Sequence, residues 1–294
     1  MLTAKLTLKS EATEQTLVHL SNRVLIGGKE LVIIGGPWAV ESQEQMDTVA
    51  RSLSTVAVQA LRGGVYKPRT SPYSFQGMGE EGLQVLAAMR EQFGLPVVTE
   101  VMAIAQIETV ATYADMLQVG SRNMQNFELL KALGRVNKPI LLKRGLAATL
   151  EEFVMAAEYI LAHGNTQVVL CERGIRSFDT FTRNVLDLGA VVALKQLTHF
   201  AVVVDPSHAV WNRELIGGLV KAAIAAGADG LIIECHPEPD QSVSDARQAL
   251  SLAEMRSLVE QLGPIAAAVG RGLPLPVAGP QKMQPLRSPE QAVA

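Results

Sequence analysis

From Leu31 onward, short runs rich in Val, Ile and Leu alternate with longer segments whose apolar residues recur at helical spacing. The runs fall at residues 31–35, 56–61, 96–100, 115–119, 139–143, 167–171, 201–205 and 229–234. The helical segments lie near 42–53, 79–92, 104–113, 125–132, 149–162, 178–196, 213–226 and 244–262. Near-continuous apolar runs, rather than alternating ones, are the pattern of parallel strands covered on both faces. Eight strand–helix units in about 230 residues predict an α/β fold, the (β/α)8 TIM barrel. A doubly wound open sheet is the competitor, but no G-x-G-x-x-G follows the first run. Residues 1–30 read as a short N-terminal extension whose weak alternation suggests a hairpin, and 31–263 as the barrel. Residues 264–294, with Pro264, Pro274, Pro276, Pro280, Pro285 and Pro289, read as a loose tail.

Composition narrows the class. Lys and Arg number 26 against 29 Asp and Glu, a net charge of -3, which argues against binding nucleic acid through a basic surface. Two cysteines, Cys171 and Cys235, make no disulfide framework and point to a reducing, cytoplasmic setting. No apolar run approaches the ~20 residues of a membrane span, and the first residues carry no apolar signal segment.

In a TIM barrel the chemistry sits at the carboxyl ends of the strands. There the chain places Gly36-Pro37-Trp38-Ala39-Val40-Glu41-Ser42, then Arg62-Gly63-Gly64 leading to Lys67-Pro68-Arg69-Thr70, then Glu100. Gly120-Ser121-Arg122-Asn123, Lys143-Arg144, Cys171-Glu172-Arg173, Asp205-Pro206-Ser207-His208 and Glu234-Cys235-His236 follow, with Asp245 on the last loop. Arg62, Lys67, Arg69, Arg122, Lys143, Arg144 and Arg173 would converge on one mouth although the chain as a whole is acidic. Such a gathering fits phosphate and carboxylate oxygens. His208, Glu234 and Asp245 form a second group with metal-ligand chemistry, though such trios also make plain hydrogen bonds. Cys171 follows an apolar strand and reads as a core filler. Strand alternation turns Cys235 away from the barrel axis if Glu234 points in.

These strings resemble the 3-deoxy-D-arabino-heptulosonate 7-phosphate (DAHP) synthases, in the short subtype related to 3-deoxy-D-manno-octulosonate 8-phosphate synthase. The resemblance runs from about Leu31 to about Leu262 and is densest over Leu61–Gly79, Gly120–Ala132 and Leu141–Ala148. It implies a cytoplasmic homo-oligomer of the shikimate pathway that condenses phosphoenolpyruvate with an aldose phosphate, erythrose 4-phosphate. It assigns Arg122, Lys143 and Arg173, beside Gly120 and Ser121, to the phosphoenolpyruvate phosphate. Arg62 and Lys67 fall to its carboxylate and reacting end, with Glu100 as a polar neighbour. Lys67 takes the place of the family's proton donor, Arg69 and Thr70 receive the aldose phosphate, and His208 is both catalytic and a metal ligand. The implied cofactor is a divalent, Mn²⁺-like ion on His208, Glu234 and Asp245.

The chain departs from the family at two places. The first-strand motif Gly-Pro-Cys-Ser-Val-Glu-Ser carries a metal-binding cysteine; here that position is Trp38, whose indole nitrogen only donates. After the Asp-Pro-Ser-His motif, a small Gly-rich, Arg-containing turn is replaced by Ala209-Val210-Trp211-Asn212-Arg213. The two tryptophans of the chain both fall here. A linked change predicts that both indoles border the space beside His208 and leave the metal weakly held or absent. A sister branch with Asn for the cysteine works without metal. Two alternatives stay open: a paralogue joining phosphoenolpyruvate to another aldehyde in secondary metabolism, and a catalytically silent ligand-binding homologue.

Overall fold

Eight strands carry apolar side chains on both faces because each is sandwiched between the barrel interior and a covering helix. The computed structural model describes residues 3–10, 15–67, 73–243 and 246–276. The strands that form its barrel, all parallel, are β1 (Val32–Gly36), β2 (Ala60–Arg62), β3 (Val97–Glu100), β4 (Met116–Val119), β5 (Ile140–Lys143), β6 (Val168–Glu172), β7 (Ala201–Val204) and β8 (Gly230–His236), and the two-residue strand Leu250–Ser251 pairs with the end of β8. They pair in sequence order, and β8 closes the barrel by pairing with both β7 and β1 at Gly230. The helices are α1 (Gln43–Leu53), α2 (Glu80–Phe93), α3 (Ile107–Tyr113), α4 (Phe127–Leu133), α5 (Leu150–Leu161), α6 (Leu188–Leu197), α7 (Arg213–Ala225) and α8 (Leu252–Glu260).

Two apolar layers result. Ile33, Leu61, Val97, Leu117, Leu142, Leu170, Val202 and Ile233 face outward onto the helices. Ile34, Ala60, Val98, Met116, Leu141, Val169, Val203 and Ile232 fill the interior. The expected hairpin is present, Val18–His19 pairing antiparallel with Leu25–Ile26. Its Val18, Leu20, Val24 and Ile26 join the interior layer, so the N-terminal extension plugs the end of the barrel opposite the catalytic mouth.

At that same pole Asp229, fully buried, clamps four chain segments. Its carboxylate accepts from Lys195 on α6 at 2.7 Å, Arg271 at 2.5 Å, Gln15 at 3.1 Å and the Val202 amide at 2.7 Å.

Several boundaries differ from the sequence pattern; the run at 56–61, for one, pairs as a strand only from Ala60. The helix expected over 178–196 forms only from Leu188, because upstream polar side chains satisfy local backbone instead of a helical ladder. Asp179 accepts from the Phe181 amide and Thr182 donates to the Asn184 carbonyl, while Asp187 caps α6 through the Ala190 amide at 2.9 Å. The helix expected over 244–262 begins at Leu252, where Ser251 and Glu254 form a capping box. The stretch expected to be loose from residue 264 opens with a helix, Gly263–Ala268. Gly272 then exchanges hydrogen bonds with Lys29 and Leu31, and Arg271 docks on Asp229. Residues 277–294 lie outside the described residues.

Candidate active site

Strand alternation builds the site. On seven of the eight strands, two residues beyond an interior apolar side chain, at or just past the carboxyl end, comes a buried polar one on the same face. Ala60 leads to Arg62, Val98 to Glu100, Met116 to Gln118, Leu141 to Lys143, Cys171 to Arg173, Val203 to Asp205 and Ile232 to Glu234. Lys67 enters from the loop after β2 and His208 from a five-residue helix, Pro206–Val210, whose N-cap is Asp205.

Asp205 is the hub. Its carboxylate lies 2.5 Å from Lys143 Nζ and 2.8 Å from His208 Nδ1, and it also caps the His208 amide at 3.0 Å. Burial opposes its charge, but His208, Lys143 and Arg62 outweigh burial and hold the carboxyl well below its usual range. Burial likewise holds His208 well below its usual pKa, against the pull of Asp205 and with Lys143 and Arg62 adding to the depression. A neutral His208 donating through Nδ1 satisfies the geometry, and Asp205 then owes its ionisation chiefly to Lys143. The Nε2 lone pair of His208 is left buried without a hydrogen-bond partner, 3.8 Å from Glu234 Oε2.

The remaining side chains are fixed by neighbours. Gln248 donates to Glu234 at 2.5 Å, and Gln118 donates to Glu100 at 3.0 Å. Burial raises the Glu100 pKa despite Lys143, Lys67 and Arg62 nearby. Arg173 donates to the His208 carbonyl at 2.9 Å. A Cβ at Gly120 would stand 2.2 Å from the Glu100 carboxylate, so any side chain there would push Glu100 out of its place. Trp38 lies at the centre, its ring 4.4 Å from the His208 imidazole, 5.0 Å from Arg62 Cζ and 3.8 Å from Lys67 Nζ.

Strand-end cations gathered with Glu100, His208 and Glu234 in one TIM-barrel mouth are the arrangement that the resemblance implies. The sequence matches the model of the DAHP synthetase I family over residues 10–268. The chain belongs to the DAHP synthetase I family. It is 48% identical over 257 residues to the phospho-2-dehydro-3-deoxyheptonate aldolase of Thermotoga maritima, covering 87% of this chain and 76% of the relative. The 2-dehydro-3-deoxyphosphooctonate aldolase of Syntrophotalea carbinolica is 30% identical, with 83% and 93% covered. The crystal structure of the Thermotoga maritima DAHP synthase superposes with a TM-score of 0.89 at 46% identity, covering 92% of this chain and 79% of that one. A truncated form of the Thermotoga enzyme gives a TM-score of 0.84 at 42% identity, covering 90% of this chain and 97% of that one.

Against the pattern expected of this family, the structure gathers Arg62, Lys67, Glu100, Gly120, Lys143, Arg173, His208 and Glu234. Arg122 is exposed, on a single 3₁₀ turn over Ser121–Asn123 at the rim. Arg69, Thr70 and Asp245 lie outside the described residues. Arg144 is a correction: it does not enter the mouth. It sits next to Lys143 and so points to the opposite face, where it pairs with Glu172 at 2.9 Å and Asp187 at 3.0 Å.

The two indoles also part company. Trp38 touches His208 as expected. Trp211 does not: it faces Arg183, whose Cζ is 4.7 Å from its ring, in a separate cleft with Phe181, Arg213 and Arg247. Its φ of 57° puts it in the left-handed region, which favours the glycine of the family turn and sends the indole away from the mouth.

Cys171 and Cys235 are both buried and unpaired, with burial pushing each thiol up to about 12. Cys171 packs in the interior layer and Cys235 in the outer one, as alternation requires. Sequence reasoning gave no role to Asp205, Gln118 or Gln248. Asp205 carried a signal, since an Asp three residues before a His at a helix start is an N-cap.

Proposed function

We propose that this chain is a DAHP synthase: it joins carbon 3 of phosphoenolpyruvate to the aldehyde of erythrose 4-phosphate and releases inorganic phosphate. The observation that carries this is the mouth itself, where Arg62, Lys67, Lys143 and Arg173 converge on a cleft backed by Asp205, His208 and Glu234. In this reading Lys143 and Arg173, with Arg122 from the rim, hold the phosphate, and Arg62 and Lys67 hold the carboxylate and reacting end. Carbon 3 forms the new bond to the aldehyde carbon, and the aldehyde oxygen takes a proton from Lys67. Water then adds at carbon 2 and the phosphate leaves. Arg69 and Thr70 receive the aldose phosphate.

The family's ion does not fit this mouth as a four-ligand site. His208 Nε2 offers a buried lone pair and Glu234 a nearby carboxylate oxygen. The thiolate position, however, is an indole lying between these groups and three cations, and a cation-rich surround opposes a divalent ion. We therefore derive no step through a metal and propose that it is weakly held or dispensable. Trp38→Cys is expected to raise Mn²⁺ affinity at least tenfold in a direct metal titration; unchanged affinity would contradict the placement of His208 and Glu234.

For the anion site, Lys143→Ala is expected to weaken phosphoenolpyruvate binding about 10–150-fold by calorimetry, as one charge-assisted contact is worth roughly 1.5–3 kcal/mol. Wild-type affinity in that variant would sink the phosphate assignment. The bulk of Trp38 favours one second reading, the same chemistry on a different aldehyde, which a panel of aldoses in the same assay separates. Among the described residues no helix is long and apolar enough to cross a membrane. A cytoplasmic homo-oligomer remains part of the proposal, tested by sedimentation.

A further inference from the structure

Trp38 holds one lysine twice. The Lys67 ammonium lies 3.8 Å from the centroid of its indole and also donates a hydrogen bond to the Trp38 carbonyl. Arg62 Cζ at 5.0 Å and Lys143 Nζ at 6.0 Å share the same ring. The loop after β2 is shaped to this contact. A Cβ on Gly64 would stand 2.7 Å from Lys67 Nζ and 2.7 Å from the Trp38 carbonyl oxygen, so only glycine admits both. The backbone of the two loops is tied at the same point, with Gly64 N donating to the Trp38 carbonyl at 3.1 Å and Val40 N to the Gly64 carbonyl at 3.0 Å.

The electron-rich face of an indole attracts cations, and more strongly where water is excluded. A thiol or an amide side chain in that place has no such face. We infer that Trp38 is a positioning residue: its ring and carbonyl together orient the Lys67 ammonium toward the reacting end of the substrate and keep Arg62 and Lys143 beside it. The mouth is thus ordered around an aromatic ring. This rests on the proposed role of Lys67 in the condensation, and the ring contact itself is testable without that role.

Lys67 carries its ammonium on a long, flexible stem, and a ring face on one side restricts where that ammonium points. Losing the face should therefore lower the rate of the step that uses the proton more than it weakens phosphoenolpyruvate binding. That binding is shared with Arg173, which is not among the cations placed over the ring.

Two measurements test this. In a Trp211→Phe background Trp38 is the sole indole. Adding Lys67→Met should change its emission intensity by tens of per cent with no substrate present, and phosphoenolpyruvate alone should change the emission of the Trp211→Phe protein in a saturable way. Unchanged emission on both counts, with calorimetry showing that phosphoenolpyruvate binds, overturns the inference. If calorimetry shows no binding while Lys67→Met still shifts the emission, the ring contact stands and the substrate reading fails.

The second measurement compares Trp38→Phe, which keeps a weaker ring face, with Trp38→Leu, which keeps apolar bulk alone. Turnover should fall about threefold and about tenfold respectively, with KM for phosphoenolpyruvate moving less than kcat. Equal kcat in the two variants, both melting like wild type, would reduce Trp38 to a space-filler.

Discussion

Asp205→Asn is expected to lower kcat/KM for phosphoenolpyruvate by about 10²–10³-fold while leaving the fold intact. The side chain is fully buried and joins Lys143 at 2.5 Å to His208 Nδ1 at 2.8 Å. Asparagine keeps the shape and loses the charge, so the Lys143 ammonium is stranded in a low-dielectric site. Removing one partner of a buried pair costs about 3–5 kcal/mol. The His208 tautomer suffers as well, because an amide can donate to Nδ1 and force the proton onto Nε2. Steady-state kinetics with a melting curve check both halves; a loss below about fivefold would show that Lys143 and His208 are placed without Asp205.

The same pair sets an acid limit. His208, neutral when folded, takes up a proton only on unfolding as pH falls through its ordinary value of 6.5. Asp205, ionised when folded, behaves likewise below its ordinary value of 3.8. In both cases the unfolded chain binds more protons, so stability falls as pH falls. The wild-type melting temperature should drop on acidification from about pH 7.5 to about pH 5, chiefly through His208.

Asp229→Asn is expected to lower stability by about 3–5 kcal/mol without touching the mouth. Asp229 is buried and is the shared acceptor of Lys195, Arg271, Gln15 and the Val202 amide. The substitution strands two cations and loosens the segments from both ends of the chain that close the lower pole. For a chain of this size the melting temperature should fall by about 10 °C. Little change on melting would mean that the clamp is dispensable and that the hairpin seals the pole through apolar contacts alone.

The sequence made the barrel legible because each parallel strand is buried on both faces, so the runs at 96–100, 115–119 and 139–143 nearly coincide with β3, β4 and β5. The mouth was legible because polar residues at strand ends have few other reasons to be there. Arg144 was misread although the information was present: neighbouring strand residues face opposite ways, so Lys143 and Arg144 cannot both point inward. Trp211 was misread for a different reason. Its direction depends on a left-handed backbone turn after the Pro206–Val210 helix, and no side-chain pattern reports that sign of φ. The false start of α6 has the same origin, since Ser, Thr, Asp and Asn side chains between Ser177 and Asp187 bind local backbone that helical spacing alone does not reveal.

The most direct test incubates the purified chain with phosphoenolpyruvate and erythrose 4-phosphate, with and without chelator, and measures phosphate release together with the seven-carbon product. The expected result is one phosphate per product, only when both substrates are present, at a rate that the chelator lowers little. Phosphate release without the carbon–carbon product, or no turnover with or without added Mn²⁺, would contradict it.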